Sequence, residues 1–65
     1  MNGNLKKVYV IKDLWDNTYK VDSRYTEKYG IYNELLIYAK RYITYEEAER
    51  EMEQYHTIIT MYTND

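Results

Sequence analysis

The clearest hydrophobic pattern in the chain is an alternation. From Lys6 to Lys12 it runs Lys-Lys-Val-Tyr-Val-Ile-Lys, with Val8 and Val10 on one side and Tyr9 and Ile11 on the other. Alternation among β-branched and aromatic residues predicts a strand. Leu14-Trp15-Asp16-Asn17-Thr18 follows, and its Asp-Asn pair tolerates the left-handed backbone of a tight turn. Alternation resumes over Thr18–Ser23, placing Tyr19 and Val21 opposite Lys20 and Asp22, so the two segments read as a β-hairpin.

Residues Ser23 to Asn33 are less regular and contain Gly30. The spacing of Tyr25, Tyr29 and Tyr32 is helical, so this stretch reads as a connection with room for one helical turn. Leu35–Ile43 fits two patterns. As a strand it aligns Leu35, Ile37, Ala39 and Ile43; as a helix it aligns Ile31, Leu35, Tyr38, Ala39 and Tyr42. The strand is the better reading, because a lone hairpin offers a helix little sheet to cover.

Thr44-Tyr45-Glu46-Glu47 is a capping box, in which the threonine hydroxyl accepts from a free helix-start amide and Glu47 reaches back to another. A helix is therefore expected from Tyr45, with Tyr45, Ala48, Met52 and Tyr55 as its apolar stripe and acidic residues around the rest. Thr57–Thr63 is a β-branched run without caps and reads as a last strand. The expected fold class is α+β, a single domain over residues 1–65 with a small antiparallel sheet, one amphipathic helix and the order β-β-β-α-β.

Composition changes this picture in three ways. Ten of 65 residues are tyrosine, and there is no phenylalanine, cysteine or proline. Rings that carry a hydroxyl suit half-buried and partner-facing positions better than a dry core. The lack of cysteine removes disulfide reinforcement and fits a reducing cytoplasm, while self-association stays open as a way to stabilise so small a domain. No apolar run approaches the roughly 18 residues that would span a bilayer, and Met1–Lys7 lacks the apolar stretch of a signal peptide. The expectation is thus a soluble cytoplasmic chain with no membrane association.

The net charge of −2 hides an asymmetry. Residues 1–45 carry eight Lys/Arg against five Asp/Glu, and residues 46–65 carry one against six. Heavy use of Tyr, Lys, Asn and Ile also fits the AT-rich codons of a low-GC bacterium or its phage.

The segments Val8–Lys12 and Ala39-Lys-Arg-Tyr-Ile-Thr-Tyr-Glu-Glu-Ala-Glu49 resemble small accessory proteins of phages and prophages of low-GC Gram-positive bacteria. Those proteins open with a hairpin of the Tyr-Val-Ile-Lys kind and carry an Ala-Lys-x-aromatic segment leading into a Thr-x-Glu-Glu-Ala-Glu helix start. Most have no known function, and those with a role bind and block a host or defence protein. The resemblance implies an inhibitor or adaptor in the host-cell cytoplasm, and no catalytic residue is carried over.

Catalytic chemistry finds little footing. His56 is the sole histidine and Ser23 the sole serine. Glu53-Gln-Tyr-His56 has the Glu-x-x-His spacing of di-iron carboxylate sites, which need a second copy and further glutamates on a four-helix bundle. A histidine beside the negative end of a helix dipole is the simpler reading. The only glycines, Gly3 and Gly30, make no phosphate loop. No metal, cofactor or catalytic activity is expected.

Three surfaces are candidates for binding. The first joins Trp15 with Tyr25, Tyr29 and Tyr32, amphipathic rings suited to interface anchors or, more plainly, to enlarging a small core. The second is the acidic helix face, on which Glu46, Glu49 and Glu53 form one ridge and Glu47 and Glu51 the next. It would dock on a basic partner or serve as an ordinary solvated face. The third is a basic-aromatic set on the sheet, Lys7, Tyr9, Lys20, Lys40, Arg41 and Tyr42, which would suit single-stranded nucleic acid. The expected function is protein binding through the first two surfaces. Nucleic-acid binding and a self-associating homodimer are the alternatives.

Overall fold

The computed structural model describes residues 5–64. The Met1–Asn4 part of the N-terminal stretch lies outside the described residues. Four antiparallel strands, β1 (Lys6–Asp13), β2 (Thr18–Lys20), β3 (Tyr32–Asn33) and β4 (His56–Thr63), form one sheet in the order β3-β2-β1-β4. Between β2 and β3 lie a 3₁₀ turn, Ser23–Tyr25, and a single helical turn, α1 (Thr26–Tyr29). A second 3₁₀ turn, Leu36–Tyr38, precedes the short helix α2 (Tyr45–Arg50). The chain is α+β, as its patterning predicts.

The expected hairpin forms, with Asn17 in the left-handed conformation at φ 61°. The third strand is a correction. It lies at Tyr32–Asn33, inside the stretch read as a connection, and Leu35–Ile43 is neither a strand nor an α-helix but an irregular segment with one 3₁₀ turn, so the order is β-β-α-β-α-β. Two residues of that segment account for its ambiguous pattern. Ala39 bridges to Val21 beside β2, and Tyr42 bridges to Tyr9 on β1, exchanging both backbone hydrogen bonds at 2.9 and 2.8 Å. The segment is thus wedged against both strands, and its apolar residues serve two contacts three positions apart rather than one continuous ladder. Ala39 and Tyr42 are buried in consequence, while Leu35, Ile37 and Ile43 stay exposed.

β1 and β4 pair over all eight residues, so paired residues share a face: Tyr9, Ile11 and Asp13 lie with Thr60, Ile58 and His56. α2 and its C-terminal loop cover this face. Ile11, Tyr42 and Ala48 are buried together there, with Tyr9, Met52 and Ile58 packed against them. Full burial of an aliphatic side chain such as Ile11 contributes about 1.5–3 kcal/mol. Val8 and Val10, on the opposite face, are buried as well.

α2 starts at the expected residue. Thr44 caps it, its hydroxyl accepting from the Glu47 N–H at 3.1 Å. The helix ends at Arg50 rather than running through Tyr55, which corrects the expected stripe. Glu51 is drawn off the helix by long-range partners. Its carboxylate accepts from the buried Tyr42 hydroxyl at 2.5 Å and lies 3.4 Å from both Lys20 and Lys40. The chain then turns back into β4 within five residues.

Candidate functional site

The end of the hairpin carries the most exposed large aromatic in the described chain. Asp13, the last residue of β1, turns its Oδ1 onto the loop and accepts from the backbone N–H groups of Trp15 at 2.8 Å and Asp16 at 3.2 Å. Such an Asx turn fixes the loop locally, so Leu14 and Trp15 are carried outward, Trp15 to 74% exposure. The Leu14 N–H donates to the Tyr55 carbonyl at 2.7 Å, which ties the hairpin loop to the turn before β4.

Tyr55 stands in that turn with φ 69°, a conformation uncommon for a bulky residue. Backbone strain of this kind persists only where the surroundings over-determine it, and here they do. The His56 N–H donates to the Glu53 carbonyl at 3.1 Å, and the Glu53 N–H donates back to His56 Nδ1 at 2.9 Å. Held in this way, the half-exposed Tyr55 ring lies 5.2 Å from that of Trp15 at a 45° tilt. Leu14, Trp15 and Tyr55 are exposed together at this end of the sheet, and Asp16 and Glu53, one and two residues from them in sequence, are exposed as well.

Beneath this surface sits a buried polar cluster. The His56 side chain is only 2% exposed. Because Nδ1 accepts from the Glu53 amide, the proton of the neutral ring belongs on Nε2, which faces the Tyr32 hydroxyl at 3.1 Å and Asp13 Oδ2 at 3.7 Å. One imidazole therefore links β1, β3 and the Tyr55 turn. Burial, then the negative charges of Glu53 and Asp13, raise the Tyr32 hydroxyl above its ordinary pKa. The expectation of a helix-end histidine is corrected: His56 opens β4, and the helix ends six residues earlier.

The four rings grouped from sequence are not brought together. Trp15 joins Tyr55, and Tyr32 lies against His56. Tyr25 and Tyr29 join Tyr38 instead. Tyr29 and Tyr38 stack at 3.8 Å and 15°, with the Tyr25 ring edge-on to Tyr38 at 5.4 Å. Hydrogen bonding between the Tyr29 and Tyr38 hydroxyls lowers the pKa of Tyr29 and raises that of Tyr38. Arg24 and Lys28 stand over Tyr25 and Tyr29 at 5.1 and 5.5 Å. Sequence reasoning does not single out Tyr38 or Tyr55, because their ring partners lie 9 or more residues away and no local pattern announces them.

The acidic ridge is also corrected. Glu46, Glu47 and Glu49 are exposed on α2, but Glu53 lies beyond the helix and Glu51 is held by Tyr42, Lys20 and Lys40. Those contacts hold Glu51 below the ordinary carboxylate pKa, the Tyr42 hydrogen bond contributing most, and burial drives the Tyr42 hydroxyl strongly upward.

The same hub divides the basic-aromatic set. Tyr42 is buried and its ring cannot stack on a base, and Lys20 and Lys40 both face Glu51. Tyr9 is edge-on to Tyr45 at 5.8 Å, while Lys7 and Arg41 are exposed. Among the described residues, no group of three or more His, Asp or Glu side chains is arranged to hold a metal, and no helix is long and apolar enough to cross a membrane. No family model, curated protein or solved structure matches this chain.

Proposed function

We propose that this chain is a non-enzymatic protein-binding module that docks through Leu14, Trp15 and Tyr55. The observation that carries this reading is the investment beneath an exposed apolar surface. A strained Tyr55 backbone, an Asx turn on Asp13 and a buried histidine all serve to fix rings that the core does not use. Rigid, amphipathic rings lose little entropy on binding and make good interface anchors. The exposed Asp16 and Glu53 favour a partner with an apolar socket bordered by lysine or arginine, and the Glu46, Glu47 and Glu49 carboxylates of α2 add to the attraction at long range. The resemblance to phage accessory proteins narrows this to an inhibitor or adaptor acting on a host or defence protein.

Trp15 is the only tryptophan, so it reports on its own contact. Titrating a captured partner should shift Trp15 emission to the blue and protect it from acrylamide quenching. An unchanged Trp15 signal in a saturated complex would place the interface elsewhere. Nucleic-acid binding through the sheet is the weaker reading, because Glu51 already occupies two of its lysines.

A further inference from the structure

The sheet has two edges, and they differ. β3 is two residues long, too short to recruit another strand. β4 has eight residues, pairs with β1 in unbroken register without a bulge, and contains no proline and no Asp, Glu, Lys or Arg. Among the described residues, it carries no charge, proline or bulge of the kind that commonly protects an edge strand.

The orientation of its backbone follows from β1. Tyr9 exchanges both backbone hydrogen bonds with Tyr42, on the side of β1 away from β4. Tyr9 and Thr60 are therefore a pair that faces without bonding, and the N–H and C=O groups of Ile58, Thr60 and Tyr62 point out of the sheet. Among the described residues no strand pairs with that side.

We propose that β4 pairs antiparallel with β4 of a second copy about a two-fold axis at Thr60, joining the two four-stranded sheets. An interface of this symmetry must be self-complementary, and Thr57-Ile-Ile-Thr-Met-Tyr-Thr63 reads as a chemical palindrome about its centre. Thr60 meets Thr60, Ile59 meets Met61, Ile58 meets Tyr62 and Thr57 meets Thr63. Each is a threonine pair or an apolar pair, with no like charges opposed. The three outward-facing residues of each copy would supply about six inter-strand hydrogen bonds. Exposed Ile59 and Tyr62, otherwise without a role, become cross-strand contacts. This interface is separate from the Leu14–Trp15–Tyr55 surface and does not rest on its function.

The test is sedimentation equilibrium of the full chain across a concentration series, with Thr60→Lys and Thr60→Glu beside it. Thr60 is exposed, so both variants should keep the fold, as circular dichroism will report. The wild type should dimerise, and each variant alone should dimerise about tenfold more weakly or worse, since like charges then meet at the axis. Mixing the two, one of them 15N-labelled, should restore a heterodimer visible by native mass spectrometry. A wild type that stays monomeric throughout, a dimer indifferent to Thr60→Lys, or variants that fail to rescue each other would overturn the proposal.

Discussion

The ring of Tyr55, held on a left-handed backbone, lies 5.2 Å from the ring of Trp15, more than half the sequence away. Neither ring belongs to the buried core. The chain thus maintains an uncommon conformation to keep two large side chains together in solvent, and that arrangement underlies the binding role assigned to it.

Replacing Tyr55 with glycine should separate folding from binding. Glycine adopts φ 69° without the left-handed penalty of about 1–2 kcal/mol, and this relief offsets the lost ring contact. The unfolding free energy in urea should move by no more than about 1 kcal/mol, while partner affinity should fall about tenfold or more. A large loss of stability would show that Tyr55 is a core residue after all.

His56 should matter far more to stability than its place in a small chain implies. Removing it in His56→Ala leaves the Glu53 amide and the Tyr32 hydroxyl without their partner, at a cost of about 2–3 kcal/mol. Tyr32→Phe removes only one hydrogen bond of the cluster and should cost about 1 kcal/mol. Chemical denaturation of the two variants checks this order, and equal losses would mean that the imidazole does not bridge the three elements.

The Glu51 hub predicts an acid-sensitive contribution. Its folded pKa lies below the ordinary value of 4.5, so its stabilisation is present above that value and is lost as pH falls through the lower folded pKa. Asp22, held below 3.8 chiefly by the Arg24 backbone N–H, acts in the same direction. Because the Glu51 carboxylate is 40% exposed, solvent screening limits the effect, and Glu51→Gln should cost less than about 1 kcal/mol at neutral pH. The difference from wild type should vanish on acidification. At the alkaline end the sign reverses. Tyr42 is raised above 10.0, so its contribution is complete below that value and is lost as pH rises through the folded pKa.

Thr18 offers a test in the stabilising direction. Its hydroxyl is buried and, among the described residues, has no hydrogen-bond partner. Thr18→Val keeps the β-branched shape and removes the desolvated group, so stability should rise by about 1 kcal/mol. A decrease in thermal midpoint would reveal a hydrogen bond the fold depends on.

What the sequence disclosed was local. The alternation of Val8 to Ile11, the Asp16-Asn17 turn and the Thr44 cap each act within a few residues, and each appears in the fold where patterning puts it. The misreadings share a different cause. Leu35–Ile43 looks like a strand because Ala39 and Tyr42 must both be buried, yet they are buried against different strands. The helix seems to continue to Tyr55 because Met52 and Tyr55 extend the apolar stripe of Tyr45 and Ala48, whereas Glu51 is captured by Lys20, Lys40 and Tyr42. His56 is defined by Asp13 and Tyr32, and no local pattern announces partners so far away. Of the surface proposed for binding, Trp15 and Glu53 can be picked out from sequence, but Tyr55 cannot, because its placement depends on a turn that only tertiary contacts fix.

The most direct measurement is a parallel capture from nuclease-treated lysate of a low-GC bacterium, using the tagged wild type and Trp15→Ala, with retained proteins identified by mass spectrometry. The account predicts a protein retained by the wild type and lost with Trp15→Ala, while circular dichroism shows the variant still folded. A protein retained equally by both, or material that is captured only when nuclease is omitted, would contradict it.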